Sequence, residues 1–308
     1  MYELGDLRSD RAFLAAVCEA LARHMNGRGM WRLTFLLEEL VLDPVGEGLI
    51  PEDRVWLEDG VARAAGRREH WESALARLAG VGVEVVACTD AAFPLNLRLV
   101  HDAPPLLFVQ GTLIDDDRRA VAIVGTRSPS AAGRTLAGRL AAGVVERGYS
   151  VVAGLAAGID TAAHAAALNA GGRTIAVFGT DIERVYPAAN RALASAIRRS
   201  GACVSQFLPG TGGARWSFPA RNLTTSGLSM ATVVVEASET SGARHQAEAA
   251  IGHGKPVFLL DSLVTDQPWA EEMAGGPGNV TVVNGAEEIT QALDDHLAIV
   301  ADDSFAFA

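Results

Sequence analysis

The sequence predicts an α/β protein in which a doubly wound, mostly parallel sheet follows an N-terminal helical accessory domain. Two observations support this fold class. From residue 118 onward, short β-branched apolar runs alternate with glycine-containing turns and Ala/Leu-rich helical stretches, which is the pattern of repeated βαβ units. The apolar runs are nearly continuous, as expected for strands that helices cover on both faces.

Strands and helices alternate through this central region. We predict strands at Val121–Gly125, Ser150–Ala153, Thr174–Phe178, Cys203–Phe207, Thr232–Ala237, Pro256–Leu260 and, with a weaker pattern, Val280–Val283. We predict the intervening helices at about 133–147, 160–170, 189–200 and 243–252. Because right-handed crossovers join parallel strands, every strand-to-helix turn should lie along one edge of the sheet.

The two ends of the chain have a different pattern. Helical stretches precede the sheet region at Asp10–Arg23, Trp31–Leu42 and His70–Ala79. A short segment, Val83–Ala87, and a tract broken by three prolines follow them. After residue 285 the pattern favours one acidic helix, Glu287–His296, and then a frayed tail. The predicted domains are therefore an accessory helical domain (1–90), a sheet domain (91–285) and an acidic C-terminal helix and tail (286–308).

Composition excludes several classes of protein. The N-terminus has no basic region followed by an apolar stretch, and no apolar run approaches the roughly 20 residues that span a bilayer. We therefore expect a cytoplasmic protein without a membrane partner. Cys18, Cys88 and Cys203 are far apart and odd in number, which argues against a disulfide framework or a CxxC metal site.

Charge is distributed unevenly along the chain. The net charge is −11, but residues 118–260 hold 14 arginines and 1 lysine against 7 acidic residues. The segments on either side of this region are acidic. The basic middle region is therefore a candidate for binding an anion, and guanidinium groups suit paired contacts to phosphate.

The first strand-end turn, "GTRSPSAAG", has the outline of a phosphate-binding turn. Gly125 would let the backbone approach a ligand, and Ser128 or Ser130 would cap the next helix, whose N-terminus would offer free N–H donors to an anion. Arg127 would supply positive charge. Neither G-x-G-x-x-G nor a P-loop motif is present, so dinucleotide and triphosphate sites are disfavoured.

Other turns each leave two interpretations open. Asp160 and His164, spaced i,i+4, fit either an acid–base pair or a helix cap and a satisfied histidine, of which the structural interpretation is favoured. The loop that holds Arg215, Trp216, Phe218, Arg221 and Asn222 fits either a platform for single-stranded nucleic acid or aromatic side chains that anchor the loop to the core.

Two further positions complete the set of candidate residues. Ser241 and Gly242 precede a helix and provide hydroxyl and backbone donors. Arg173 opens the third strand of the sheet region, at the end opposite the strand-end turns, where the alternative is a solvated arginine.

Read together, these turns resemble the DprA/Smf family of DNA-processing proteins. The likeness runs from about residue 92 to residue 260. It is carried by the order and spacing of "VAIVGTRSPSAAG", "VVAGLAAGIDTAAHAAAL", "GGRTIAVFGTDIERVYPAANRAL", "FPARN", "GLS", "VVVEASETSG" and "GKPVF".

This resemblance implies an extended Rossmann-like fold that dimerises and binds single-stranded DNA without sequence preference. It further implies loading of a RecA-type recombinase in transformation or recombination, with no cofactor and no catalytic turnover. By position, Arg127 and Arg173 match DNA-binding positions of the family, and Gly125, Thr126, Gly154, Gly158 and Asn222 match the lining of its phosphate pocket. The expected DNA-binding set is Gly125, Thr126, Arg127, Ser128, Gly154, Gly158, Arg173, Arg215, Arg221, Asn222, Ser241 and Gly242.

A second function remains open. The chain is also similar in fold pattern to phosphoribohydrolases that cleave nucleoside monophosphates, in which case Glu248 would be the surviving carboxylate. A nucleotide-ligand sensor, or a role in phage defence, belongs to the same alternative.

Overall fold

The computed structural model describes residues 3–22 and 28–303. Its strands are β1 (Val83–Ala87), β2 (Leu106–Gly111), β3 (Ala120–Val124), β4 (Ser150–Ala153), β5 (Thr174–Val177), β6 (Ala202–Ser205), β7 (Ala231–Val234), β8 (Val257–Leu260) and β9 (Val280–Val283).

The helices lie before, between and after these strands. They are α1 (Asp6–Ser9), α2 (Arg11–Ala22), α3 (Arg28–Leu42), α4 (Pro51–Ala64), α5 (Arg68–Gly80), α6 (Leu95–Arg98), α7 (Ala131–Glu146), α8 (Ile159–Asn169), α9 (Arg191–Ser200), α10 (Ser217–Leu228), α11 (Gly242–Gly252), α12 (Asp261–Asp266), α13 (Pro268–Ala274) and α14 (Ala286–Asp303). Short 3-10 turns occur at Ala65–Arg67, Asp115–Arg118 and Ala188–Asn190. No helix within residues 3–22 and 28–303 is long and apolar enough to cross a bilayer.

All of these strands form one sheet in the order β1-β2-β6-β5-β4-β3-β7-β8-β9. Strands β3 to β9 pair in parallel, whereas β1 and β2 join one edge in antiparallel pairing. From β3 the chain builds outward through β4, β5 and β6 and then returns to build β7, β8 and β9 on the other side. This confirms the predicted doubly wound, mostly parallel α/β fold, and it puts the reversal of strand order between β3 and β7.

The accessory helices share a core with the sheet. Phe13 of α2, Leu37 of α3 and Trp71 of α5 belong to the same buried cluster as Phe108 of β2 and Val204 of β6. Strand β1 lies inside the predicted accessory domain, yet it pairs with β2. The sheet therefore begins before the predicted boundary at residue 90. A second buried cluster, formed with α7, α8 and α11, covers β3, β7 and β8.

The helices at the two ends of the chain differ from the prediction at their C-terminal limits. The helix predicted over Asp10–Arg23 is α2, and Arg23 lies outside the described residues. The acidic C-terminal helix does not end at His296 but continues to Asp303, so the frayed tail was predicted too early. Residues 304–308 of that tail lie outside the described residues.

Candidate functional site

A cavity of about 370 Å³ opens at the carboxyl ends of β3, β4 and β7. Its walls are residues 124–127 after β3, the loop 154–156 after β4, the first turns of α10, and the segment 238–246 that enters α11. The cavity therefore lies where the strand order reverses, which is the usual ligand position in open α/β sheets. The prediction that the strand-end turns converge is met by the turns after β3, β4 and β7.

The turn after β3 brings Arg127 to the cavity mouth. Arg127 is exposed, and its guanidinium carbon lies 5.6 Å from the centre of the Phe218 ring. Within the described residues, no carboxylate forms an ion pair with it. Its neighbour Thr126 is fixed by the backbone, because the Thr126 amide donates to the Glu236 carbonyl and the Thr126 carbonyl accepts from the Ile159 amide. Arg127 therefore has no ion-pair partner among the described residues, and backbone hydrogen bonds of its neighbour fix the turn that carries it.

Two glycines of the predicted site allow the turns after β3 and β4 to pack together. A Cβ on Gly125 would lie 2.6 Å from Ile159 Cγ1, and a Cβ on Gly158 would lie 2.3 Å from the Thr126 carbonyl oxygen. Gly158 also has a φ of +86°, which favours glycine. The turns after β3 and β4 can pack together because these side chains are absent. Gly125 also lines the cavity, so the predicted approach of its backbone to a ligand stays a prediction.

The N-terminus of α7 is already occupied. Ser130 caps the helix by accepting from the Gly133 amide at 2.9 Å, as predicted for one of the two serines. The Ser130 amide, however, donates to Glu236 Oε2 at 2.9 Å, and the Ser130 hydroxyl donates to the other carboxylate oxygen. A carboxylate from the turn after β7 therefore lies at this helix end, where it competes with an external anion. Ser128 is exposed and does not line the cavity.

Beneath the cavity lies a buried guanidinium, that of Arg221 from α10. Its Nη1 donates to the carbonyl oxygens of Gly154 and Val177, at 2.5 and 2.7 Å, and its Nε donates to Asn222 Oδ1 at 3.1 Å. A Cβ on Gly154 would lie 2.2 Å from the guanidinium carbon, so Gly154 makes room for this side chain. Arg221 therefore joins α10 to the carboxyl ends of β4 and β5.

Asp160 is the counter-charge to Arg221. Its Oδ2 accepts from the amides of Gly154 and Ala156, at 2.9 and 3.2 Å. Burial raises the pKa of Asp160, and the charge of Arg221 opposes that rise. Burial likewise lowers the pKa of Arg221, and Asp160 opposes the fall. The predicted N-cap position is corrected, since Gly158 occupies it and Asp160 instead holds the loop after β4.

His164 has the structural role that the sequence favoured. It is fully buried, and its Nδ1 lies 2.7 Å from Thr174 Oγ1. Burial lowers the pKa of His164 to about 3. A neutral imidazole without solvent access is not placed to exchange protons with a ligand, so the Asp160–His164 pair is not an acid–base pair.

The start of α11 forms another wall of the cavity. Ser241 caps this helix by accepting from the Ala243 amide at 3.2 Å, and Asn222 Nδ2 donates to the Gly242 carbonyl at 3.0 Å. An N-terminal helix end attracts anions, and this one lines the cavity. Gln246, one turn further on, is 2% exposed and lines the cavity, and its Nε2 has no hydrogen-bond partner among the described residues.

Arg173 and Arg215 do not line the cavity. Arg173 lies at the amino end of β5, across the sheet from the cavity, where it forms an ion pair with Asp117 at 2.8 Å and donates to the Thr112 and Ser200 carbonyls. Its charge is thus already balanced, and the geometry does not favour a DNA contact. Arg215 is exposed on the loop before α10.

Glu248 is held away from the cavity. It accepts from Arg244 Nε and contacts His245 Nδ1, both at 3.0 Å. Burial alone would raise the pKa of Glu248, but the hydrogen bonds from His245 and Arg244 lower it overall. Within residues 3–22 and 28–303, no cluster of three His, Cys, Asp or Glu side chains is arranged to hold a metal ion.

Sequence reasoning missed some lining residues. Four residues that line the cavity were not predicted to bind a ligand: Ser238, Thr240, His245 and Gln246. The helical period could have identified Gln246, because this residue lies one turn after the candidate Gly242 and therefore on the same face of the helix.

The family model described as "DNA recombination-mediator protein A" matches residues 84–298. The chain belongs to this family. It is 35% identical to DNA processing protein DprA of Bacillus subtilis over 215 residues, which cover 69% of this chain and 70% of that protein. It is 39% identical to the Streptococcus pneumoniae DprA over 177 residues, covering 58% of this chain and 62% of that protein.

Solved structures of the family are similar to this fold. The X-ray structure of Streptococcus pneumoniae DprA aligns with a TM-score of 0.72 at 28% identity, covering 91% of this chain and 97% of that one. A Helicobacter pylori DprA structure, whose title concerns its single-stranded DNA binding mode, aligns with a TM-score of 0.61 at 24% identity over 70% of this chain and 96% of that one. The predicted family resemblance is confirmed.

Proposed function

We propose that the cavity and its mouth bind single-stranded DNA without sequence preference, as part of DNA processing in transformation or recombination. The observation that carries this proposal is Arg127, an exposed guanidinium at the mouth of a cavity at the reversal of strand order. No described carboxylate pairs with it. Family membership supports DNA as the ligand class.

The chemistry of the walls favours contacts to the strand rather than to particular bases. Arg127, the hydroxyls of Thr126 and Ser241, and the first turn of α11 suit phosphate oxygens, which are the same at every nucleotide. Of the described residues that line the cavity, Asp160 alone is acidic, and it is buried against Arg221. The lining therefore favours a polyanion.

Fluorescence anisotropy of labelled oligo-dT across a salt series tests this function. If several phosphates are bound, log affinity falls linearly with log salt, with a slope of about −0.7 for each phosphate contacted. Arg127→Ala should make the slope shallower by about that amount and weaken binding at low salt. The matched control is Arg139→Ala, which removes an exposed arginine on α7 that does not line the cavity. Absence of wild-type binding at low salt, or equal effects of the two substitutions, would contradict the proposal.

A second candidate is a nucleotide sensor, for which the unpaired Gln246 amide in a cavity of about 370 Å³ is the favouring observation. A nucleoside monophosphate that competes with oligo-dT at micromolar concentration would support it. Hydrolysis of that nucleotide is disfavoured because Glu248 is bound by Arg244 and His245. Release of free base from AMP, lost in Glu248→Ala, would restore the enzymatic alternative.

We propose three further properties on the strength of the family. These are a homodimer, loading of a RecA-type recombinase and a cytoplasmic location. Sedimentation equilibrium tests the first, and the rate of recombinase filament formation on coated single strands tests the second. Cell fractionation tests the third.

A further inference from the structure

Two half-exposed aromatic rings adjoin Phe218, which lines the cavity, one by ring contact and the other by its position two residues earlier in the chain. Tyr186 is 50% exposed and Trp216 is 56% exposed. The Tyr186 ring contacts Phe218, which lines the cavity, with centroids 5.7 Å apart. The Trp216 ring contacts Phe207 edge to face, also at 5.7 Å, and Phe207 is buried. Each of these rings is thus held in place by a second ring, while about half of its surface stays exposed to solvent.

The charge around these rings is positive. Arg127 lies over Phe218, Arg215 precedes Trp216 in the chain, and both are exposed. Arg184 is exposed as well, and its Nη1 would lie 3.0 Å from a Cβ on Gly213, so it reaches the loop that carries Arg215. Within the described residues none of these three arginines forms an ion pair. The nearby carboxylate of Glu183 is taken by Arg77 of α5.

This combination matches one kind of partner. Flat rings held edge-on or tilted by other rings, with unpaired guanidinium groups around them, suit stacked bases and their phosphates. A surface that binds a protein through apolar contacts would be expected to carry aliphatic side chains and fewer unpaired charges than this one. Tyr186 adjoins the cavity through its contact with Phe218, and Trp216 precedes the first turn of α10, which lines the cavity.

We propose that Tyr186 and Trp216 form a base-stacking platform that carries a single strand out of the cavity, with Arg184 and Arg215 on its phosphates. This inference rests on the proposed function. The cavity then holds the first nucleotides of the bound strand, and the platform determines how many further nucleotides the protein contacts. Stacking on a ring tolerates every base, so the platform adds affinity without adding sequence preference.

Binding to the platform can be distinguished from binding to the cavity by changing the length of the oligonucleotide and by removing its bases. Anisotropy is measured with oligo-dT of about three and about ten nucleotides and with an abasic strand of the longer length. The variant is Tyr186→Leu/Trp216→Leu. Its control is Trp31→Leu, which removes another half-exposed tryptophan, 42% exposed on α3. Circular dichroism and thermal unfolding establish that each variant is folded.

The expected result is selective. The double variant loses about fivefold or more in affinity for the longer oligo-dT for each ring that stacks a base. Its affinity for the short oligonucleotide and for the abasic strand equals that of the wild type, and Trp31→Leu changes nothing. Tyr186→Phe/Trp216→Phe restores binding because a phenyl ring still stacks.

The outcomes that overturn the inference differ from those that overturn the function. If the wild type binds oligo-dT and the double variant binds the longer strand equally well, the platform is wrong and the cavity function stands. If the double variant loses the short and abasic strands in equal measure, the rings act on the cavity rather than on bases, and the platform is again wrong. If the wild type binds no strand at low salt, both proposals fail together.

Discussion

The clearest quantitative prediction concerns the buried histidine and the pH dependence of stability. His164 is fully buried, and burial lowers its pKa to about 3, against about 6.5 for an unperturbed histidine. Between these values the unfolded chain binds a proton that the folded chain does not, so stability falls as pH falls through this range. The stabilising contribution is complete above pH 6.5 and is lost progressively down to about pH 3. Between pH 7 and pH 5 this one group should remove about 2 kcal/mol from the free energy of unfolding.

Urea unfolding at the two pH values measures this loss. In His164→Gln the side chain no longer titrates but still offers a donor to Thr174 Oγ1, so the difference in unfolding free energy between pH 7 and pH 5 should shrink by about 2 kcal/mol. The matched control, His70→Gln, removes an exposed imidazole from α5 instead of a buried one. The reasoning is refuted if His164→Gln and the wild type lose the same free energy over this range.

Four further substitutions, of which Gly148→Ala is a control, test the site and the fold around it. Gly158→Ala should lower the unfolding free energy by about 2 kcal/mol or more in a denaturant titration, because its Cβ would lie 2.3 Å from the Thr126 carbonyl oxygen. Gly148→Ala, also at positive φ but with open space around it, should cost only about 1 kcal/mol. Glu236→Gln should raise affinity for oligo-dT at low salt severalfold, as measured by anisotropy, because a negative charge near the mouth is removed. Lys255→Met should speed amide exchange at the end of α10, since the Lys255 ammonium donates to three carbonyls there.

The sheet could be predicted because each of its parallel strands shows the same local pattern. Seven strands from β3 to β9 were predicted, with ends that differ by a few residues at most. Strand β2 and helices α4, α10, α12 and α13 were not predicted. Of these, β2, α4, α10 and α13 have a proline just before them or in their first turn. Pro105 immediately precedes β2. Pro219 lies in the first turn of α10, where the missing N–H of proline costs little stability. A proline in sequence does not reveal which side of a boundary it occupies.

The site was less predictable because its details depend on partners distant in sequence. That the turns meet follows from parallel strands alone, and the predicted residues Arg127 and Asn222 both line the cavity. The contact between Glu236 and the start of α7 spans 106 positions, and the contact between Arg173 and Asp117 spans 56. Neither pairing leaves a local pattern, so a free helix end and a free arginine were predicted where the fold supplies a carboxylate to each.

The distribution of these carboxylates explains how a chain of net charge −11 can present a positive site. Asp117 is paired with Arg173 at the far end of β5. Asp294 of α14 accepts from the Tyr149 hydroxyl and lies 3.6 Å from Arg119. Arg127, at the cavity mouth, has no such partner within the described residues. Because exposed charges are screened over about 8 Å at physiological salt, acidic groups farther from the cavity weaken its local field only slightly. Pairing, rather than net charge, therefore determines which arginines can meet a phosphate.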